Sequence, residues 1–350
     1  MTPKISIITT IYNAENDLPR LLESMKSIKN DNIEFFLIEN GSCDSSYNIC
    51  LRYAAEDSRF SVYHIERNVG YIRARNIGIE KCSGEYIGFC DSDDYLSDIG
   101  YEQALDKIEE TNCDLFLGSY CIVKGNQKKI MKVSVADGIY SDQGLQKISP
   151  LFFGDFNGMH RLNGYVWKNI YKRDVIIRNN IYFIDDIKPA EEQIFNLEAF
   201  RGSKSVVIDN IILYYYVFNP LSITAQVNKE FSASENCKRI SNLHREYKKY
   251  LVSADEFETE SNYMLFSLYK IAVNCAKSQA PINFNVEQIK SAITSDLMDE
   301  MLAYCKQKRN IKMQFVKFCL KRKLYKLLIG CLKLCCKLNN AWLNLAREDV

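Results

Sequence analysis

Short apolar runs alternate with helical patterns along the first third of the chain. Runs rich in β-branched and aromatic residues predict five strands, at residues 5–10, 33–38, 60–65, 86–90 and 115–123. Between them, apolar positions recur at helical spacing and predict helices at residues 17–28, 44–56, 72–81 and 101–111. This alternation is typical of an α/β fold with a doubly wound, mostly parallel sheet and right-handed crossovers.

The pattern changes twice in the rest of the chain. Residues 124–165 show little regularity, and residues 166–216 predict short strands with a helix near 191–200. From about residue 228 the periodicity is helical. We therefore expect the following organisation: an α/β domain at residues 1–225, with halves at about 1–123 and 124–225, and a helical region at 226–350.

The composition is that of an ordinary soluble globular protein. Of the 350 residues, 47% are hydrophobic and 25% are charged, and the net charge is +1. The thirteen cysteines form no CxxC pair, so we expect neither a zinc site nor a thioredoxin-type motif. The apolar run at residues 5–12 is too short for a signal peptide, and no run approaches the roughly 20 residues of a membrane span. We therefore expect a cytoplasmic protein with reduced thiols.

Three carboxylates lie within four residues at the predicted end of the fourth strand, in Asp91-Ser92-Asp93-Asp94. They repel one another at neutral pH and are tolerated only in water or around a cation. Ligands bind at the carboxyl ends of strands in an open α/β sheet. We therefore infer that this cluster binds a divalent metal ion together with a phosphate group. A solvated acidic turn that caps the next helix is the structural alternative.

Polar residues follow the other strands at the same predicted edge. They occupy Thr10–Asn13, Glu39–Ser42 and Arg67–Gly70, and the third helix adds Arg73, Arg75 and Asn76. Groups from four loops then converge on one crevice, which suits a nucleotide. Neither a GxxxxGK[ST] loop nor a GxGxxG motif follows the first strand, which disfavours a P-loop enzyme and a dinucleotide-binding dehydrogenase.

An ordered series of motifs resembles the family 2 glycosyltransferases, which have the GT-A fold, over about residues 4–225. The motifs are Ile5–Asn13, Ile38–Ser42, Asn68–Gly78, Gly84–Ile87 leading into Asp91–Asp94, Trp167–Arg173 and Ala190–Phe195. The resemblance implies that residues 1–225 are a catalytic domain, with a nucleotide-sugar half and an acceptor half. It also implies inverting transfer from a nucleotide-diphospho-sugar, a UDP-sugar, to an acceptor hydroxyl.

The resemblance also implies roles for residues at the strand ends. Asp93 matches the ligand of a divalent metal, Mn²⁺ or Mg²⁺, and Asp91 lies near the ribose or shares the metal. Thr10 and Asn40 match positions that contact uracil, although the family usually has Asp-Asp-Gly-Ser where this chain has Glu39-Asn40-Gly41-Ser42. The residues that we expect to bind the nucleotide-sugar are Thr10, Tyr12, Glu39, Asn40, Arg75, Asp91 and Ser92. A helix-surface salt bridge is the alternative for Arg75.

Inverting transfer needs a general base, and in relatives it is a carboxylate of a Glu-Asp pair before a helix. Glu192 aligns with the usual Asp, but its extra methylene shifts the reach by about 1.5 Å, so Glu191 remains a rival. Alternatively, both glutamates only favour a helix N-terminus. Trp167 and His160 are candidates for acceptor binding. A packing role for Trp167 is equally open, and a lone histidine such as His160 is more often incidental.

The expected reaction is the addition of one sugar. Gln193 is not followed by the Arg-Trp pair of the Gln-x-x-Arg-Trp motif found in polymerising relatives. The acceptor that we expect is a polyprenyl-diphosphate-linked glycan in bacterial surface polysaccharide (O-antigen or capsule) synthesis.

A catalytically silent scaffold that binds nucleotide-sugar or glycan is the alternative. A nucleotidyltransferase is disfavoured, because residues 9–16 lack a glycine-rich basic loop.

The C-terminal region is strongly basic. Residues 301–347 contain twelve Lys or Arg and no Asp or Glu. A helical stripe is predicted at Leu320, Leu324, Leu327, Cys331, Leu334 and Leu338, with lysines opposite. Residues 306–338 are therefore expected either to contact the inner membrane leaflet peripherally or to pack on the protein with the lysines in water. Nucleic-acid binding is disfavoured, since no aromatic residues are interleaved with the charges.

Overall fold

The computed structural model describes residues 4–133, 135–154, 162, 164–187, 190–219, 232–306 and 310–337. The chain divides into two compact units. The first comprises residues 1–147 and 162–219, and the second comprises residues 148–161 and 220–350. Both of the expected halves, 1–123 and 124–225, contribute to the first unit.

A ten-stranded sheet forms the centre of the first unit. Its strands are β1 (Ile5–Ile11), β2 (Ile33–Glu39), β3 (Phe60–His64), β4 (Tyr86–Asp91), β5 (Tyr95–Leu96), β6 (Leu115–Lys124), β7 (Gln127–Met131), β8 (Gly138–Ser141), β9 (Asn169–Lys172) and β10 (Ser205–Val217). The strand order is β3-β2-β1-β4-β9-β6-β10-β5, with β7 beside β6 and β8 beside β10. The pairs β1–β2, β1–β4, β2–β3 and β6–β10 are parallel, whereas β9 runs antiparallel to both of its neighbours.

Helices connect and cover these strands. They are α1 (Leu18–Ser27), α2 (Ser46–Glu56), α3 (Tyr71–Lys81), α4 (Asp98–Thr111), α5 (Gln143–Ile148), α6 (Arg173–Arg178) and α7 (Glu191–Gly202). Helix α1 shows why these helices form. Its apolar residues recur at helical spacing and are all buried, namely Leu18, Leu21, Leu22 and Met25. The predicted α/β class with a mostly parallel central sheet is confirmed.

Strand register places the predicted polar residues at one edge. Thr10 is aligned with Asp91 on β4, and Ile11 is aligned with Glu39 on β2. Because these strands are parallel, their carboxyl ends lie side by side, as the sequence predicted. The edge that β1, β2 and β4 share is the floor of the site described below.

Helices build the second unit. They are α8 (Ala233–Lys248), α9 (Ala254–Lys277), α10 (Ile282–Ala292), α11 (Ser295–Met301), α12 (Ile311–Lys321) and α13 (Tyr325–Lys337). The long α9 begins at a capping box of Ser253 and Glu256, which satisfies backbone N–H groups at its start. No helix in the described parts of the chain combines the length and the apolar character needed to cross a membrane.

The predicted basic tail helix is two helices. α12 and α13 are separated by a turn in which Lys323 has φ +59°, a left-handed conformation that ends a helix. Leu338, the last residue of the predicted stripe, lies outside the described residues.

Candidate active site

The loop after β2 is tied to the loop before α3. Gly41 has φ +73°, and a Cβ atom there would lie 2.7 Å from the backbone nitrogen of Asn68, so the close approach of the loops requires glycine. Asn40 donates from Nδ2 to Asn68 Oδ1 at 3.1 Å and accepts from the Val69 N–H at 3.0 Å. The Asn40 amide therefore fixes the shape of this rim from a buried position.

Glu39 is fully buried below the same rim. One carboxylate oxygen accepts from the Ser42 N–H at 2.7 Å, and the other lies 2.6 Å from His64 Nδ1. These contacts hold the β2 loop to β3, so Glu39 supports the candidate nucleotide pocket from underneath. Thr10 is half-buried and Tyr12 is exposed at the same edge, where a ligand can reach both.

The acidic cluster after β4 contains one buried anchor, Asp94. It accepts hydrogen bonds from the Tyr214 hydroxyl at 2.7 Å and from the Val217 N–H at 2.6 Å. Burial and the neighbouring aspartates raise the pKa of Asp94 to about 8. Asp94 thereby fastens the cluster to β10, which excludes a fully solvated acidic turn.

Asp91 and Asp93 are only partly buried. Burial, followed by the negative charge of Asp91, raises the pKa of Asp93 to about 6. A divalent cation would relieve this repulsion. Among the described residues no group of three or more His, Cys, Asp or Glu side chains could hold a metal. Two carboxylates that leave coordination positions for substrate phosphates fit the usual protein environment of Mg²⁺ and related ions.

Arg75 joins the acidic cluster to the start of α7. Its guanidinium donates to Asp91 Oδ1 at 2.6 Å and to Glu192 Oε1 at 2.7 Å, and only 6% of its side chain is exposed. It also lies 5.4 Å from the ring centroids of Tyr71 and Phe183. Arg75 is thus a buried bridge between two carboxylates, in contrast to the helix-surface salt bridge that the sequence left open.

The two glutamates that open α7 have different surroundings. Glu191 is buried and accepts from the Tyr71 hydroxyl at 2.6 Å, while its second oxygen has no hydrogen-bond partner among the described residues. Glu192 keeps 17% of its side chain exposed beside Arg75. Burial raises the pKa of Glu192 to about 7, although Arg75 opposes that shift. Glu192 is therefore a carboxylate poised to exchange a proton near neutral pH.

A buried amide network holds α7 in place. Asn196, one turn beyond Glu192, accepts from Asn169 Nδ2 at 2.9 Å and from the Tyr171 hydroxyl, and it donates to the Gly164 carbonyl at 3.0 Å. These bonds tie the N-terminal half of α7 to β9.

Trp167 packs inside an aromatic stack. Its ring lies 4.6 Å from the Tyr165 ring and 4.1 Å from the Tyr214 ring, with both pairs nearly parallel, and Trp167 is only 3% exposed. This geometry favours the packing alternative, because the Trp167 ring is buried among other aromatic rings. Tyr165 is 48% exposed and presents an aromatic surface at the outer end of the stack. His160 lies outside the described residues.

Three residues near this site escaped the sequence analysis. Tyr71 contacts Glu191, Tyr214 contacts Asp94, and Lys168 is buried with its amino group 3.0 Å from Asn169 Oδ1. Burial lowers the pKa of Lys168 to about 8. The only available signal for Lys168 was a charged residue directly after the apolar and aromatic residues Tyr165, Val166 and Trp167.

Comparison with known proteins agrees with this architecture. The sequence profile of glycosyl transferase family 2 matches residues 6–170. The chain is 34% identical over 227 residues to the uncharacterized glycosyltransferase EpsJ of Bacillus subtilis (strain 168), a match that covers 64% of each protein. It is also 34% identical over 216 residues to glycosyltransferase GlyG of Streptococcus pneumoniae serotype 4, covering 61% of this chain and 71% of that relative. The match to EpsJ thus spans just under two thirds of that protein.

A solved structure shares the fold. The crystal structure of Staphylococcus aureus TarS 1–349 in complex with UDP-GlcNAc superposes with a TM-score of 0.72 at 18% sequence identity. The match covers 96% of this chain and 92% of that one. At this identity the likeness establishes the fold alone.

Proposed function

The chain belongs to glycosyltransferase family 2 and has the GT-A fold, and on that premise we propose that it adds one sugar from a nucleotide-diphospho-sugar, a UDP-sugar, to a hydroxyl of a glycan acceptor with inversion. The observation that carries this proposal is the Arg75 bridge. One guanidinium lies 2.6 Å from the donor-side carboxylate Asp91 and 2.7 Å from the candidate base Glu192. In an in-line displacement, the acceptor oxygen attacks one side of the reacting carbon while the diphosphate leaves from the other. The enzyme therefore needs one group near the acceptor and another near the diphosphate.

The donor pocket that we propose lies at the carboxyl edge of β1, β2 and β4. Thr10, Tyr12 and Ser92 line it, while Glu39 and Asn40 hold the loops around the base and ribose. A structural neighbour that binds UDP-GlcNAc supports a UDP-sugar as the donor.

Asp93 and Asp91 are the residues that would hold a divalent metal, Mn²⁺ or Mg²⁺. When bound, such an ion neutralises the charge that develops on the leaving diphosphate. Burial, and then the charge of Asp91, raise the pKa of Asp93, and a cation between the two carboxylates would stabilise their ionised forms.

Glu192 is the general base in this proposal. Its partly exposed carboxylate accepts the proton of the acceptor hydroxyl as that oxygen attacks the anomeric carbon. Arg75 positions Glu192 and favours its ionised form, and Glu191 serves as a positioning residue through its hydrogen bond with Tyr71. The exposed Tyr165 replaces Trp167 as the ring that we propose for stacking on the acceptor sugar, with His160 retained as a second candidate.

The acceptor class follows from the family resemblance. We propose a lipid-linked glycan, carried on polyprenyl diphosphate, in the synthesis of a bacterial surface polysaccharide. A single addition is expected, because the Gln-x-x-Arg-Trp motif of polymerising relatives is absent from the sequence.

A nucleotide-release screen tests the proposal. Purified protein is supplied with a panel of UDP- and GDP-sugars and a lipid-diphosphate-linked glycan, with and without Mn²⁺. We expect UDP release that requires both acceptor and metal, and a β- or α-linkage opposite to that of the donor in the product. Binding of a UDP-sugar without turnover of any donor in the panel would instead support a catalytically silent scaffold.

A further inference from the structure

Helix α13 buries one apolar stripe within the second unit. Its members Tyr325, Leu328, Ile329 and Leu332 are each at most 5% exposed. Their spacing of three and four residues places them on one helical face. This stripe accounts for the packing of α13 on the rest of the unit.

A second apolar stripe lies on the outer face of α13. Leu327 is 48% exposed and Leu334 is 62% exposed, and the two are seven residues apart, which is two helical turns. Leu324, the residue directly before the helix, is 37% exposed. This is the stripe that the sequence predicted, but of its members at residues 320–334, all within the described part of the chain, the structure buries only Leu320. The internal packing of α13 is therefore complete without the outer leucines.

The charge around the outer stripe has one sign. Residues 311–337 contain eight Lys or Arg and no Asp or Glu. Lys321, Arg322, Lys323 and Lys326 are all exposed at the turn between α12 and α13. An exposed apolar stripe beside a run of cations is the pattern of helices that lie in an anionic membrane interface.

We propose that the outer stripe of α13, together with the basic turn at residues 321–326, docks on an anionic lipid bilayer. Leu324, Leu327 and Leu334 enter the interfacial region, while the four cations contact lipid phosphates. A second copy of the chain is a poorer occupant, because it would bring the same cations face to face. This inference is independent of the catalytic proposal, since it concerns residues outside the candidate active site.

Vesicle flotation of the full chain tests the docking surface. Vesicles of phosphatidylcholine with phosphatidylglycerol are compared with vesicles of phosphatidylcholine alone, at low and high salt. We expect binding only to the anionic vesicles, and binding that weakens as salt rises. The double variant Leu327→Ser, Leu334→Ser and the double variant Lys323→Gln, Lys326→Gln should each lower the partition coefficient by about tenfold.

Phe284→Ser is the matched control. Phe284 is an exposed apolar residue of α10, outside the basic region, so its replacement should leave flotation unchanged. Thermal unfolding of each variant checks that it folds. We expect each of them to fold, because the substituted positions are exposed. Equal binding to both vesicle types, or binding that survives both double variants, would overturn the proposal. A dimer in lipid-free light scattering that dissociates in the leucine variant, without vesicle binding, would assign the stripe to a second copy instead.

Discussion

The acidic residues after β4 and those that open α7 are two clusters in which sequence neighbours have opposite surroundings. After β4, Asp94 is buried with two hydrogen-bond donors, whereas Asp93 is partly exposed and has its pKa raised by burial and then by the charge of Asp91. In α7, Glu191 is buried against Tyr71, whereas Glu192 is partly exposed beside Arg75. The comparison teaches that burial and hydrogen bonding, rather than residue type, separate a carboxylate that supports the fold from one that is open to a ligand.

Arg75 connects the two clusters, and its removal should have the largest effect on stability. Arg75→Gln leaves Asp91 and Glu192 without their shared cation, which is expected to lower the free energy of unfolding by about 3–5 kcal/mol. Arg75→Lys should rescue little of this loss, because an ammonium group cannot reproduce the planar fork that serves two carboxylates. Urea unfolding measures the effect.

Arg73→Gln is the control for this change. Arg73 is exposed two residues earlier on the same helix, so its replacement should change the free energy of unfolding by about 0.5 kcal/mol or less. Similar losses for the two variants would mean that the bridge does not connect the clusters energetically.

Asp93→Asn should separate chemistry from stability. Loss of a metal ligand is expected to lower kcat/KM by about 100-fold or more, and to weaken the response of activity to added Mn²⁺. The thermal stability of the metal-free Asp93→Asn variant should be unchanged or raised, because the substitution removes a repulsive charge. Asp31→Asn, at an exposed position before β2, is the control; an active, metal-responsive Asp93→Asn enzyme would remove Asp93 from the site.

Asp94→Ala should show the reverse behaviour. The Tyr214 hydroxyl and the Val217 N–H lose their buried acceptor, which is expected to cost about 2 kcal/mol or more of unfolding free energy. Chemical denaturation compares this variant with Asp93→Asn. If Asp94→Ala is as stable as the wild type, the assignment of Asp94 as the anchor of the cluster is wrong.

The pH dependence of kcat/KM should reflect the ionisation of Glu192. Because its pKa is raised to about 7 and the base acts only when deprotonated, kcat/KM should fall about tenfold per pH unit below pH 7 and level off above it. Arg75→Gln should move this acidic limb to higher pH, because the opposing cation is gone. A profile that stays flat between pH 5 and pH 8 would contradict a base with a raised pKa.

Local patterns predicted much of the first unit. Period-two and period-3.6 signals located β1 to β4 and their helices, and strand ends identified the edge where Thr10, Glu39 and Asp91 meet. The sequence could not reveal that β9 lies between β4 and β6. The strand has only four residues, and their pattern does not specify which strands they pair with.

Long-range contacts explain what was missed at the site. Tyr214 and Asp94 are 120 residues apart, and Arg75 and Glu192 are 117 apart, so no local pattern links them. The sequence named Glu191 and Glu192 together but could not decide between them, because the decision depends on which carboxylate Tyr71 covers. In α13, likewise, the periodicity identified an apolar stripe without showing that a second stripe occupies the core.

A paired measurement of Glu192→Gln and Glu191→Gln tests the central claim most directly. Donor affinity by calorimetry and single-turnover rates with acceptor are determined for both variants beside the wild type. Glu192→Gln should bind donor normally and lower the transfer rate by about 10²–10⁴-fold, with the acidic limb lost, whereas Glu191→Gln should lower it far less and keep the limb. The opposite ranking, or an unchanged rate for Glu192→Gln, would contradict the assignment of Glu192 as the base.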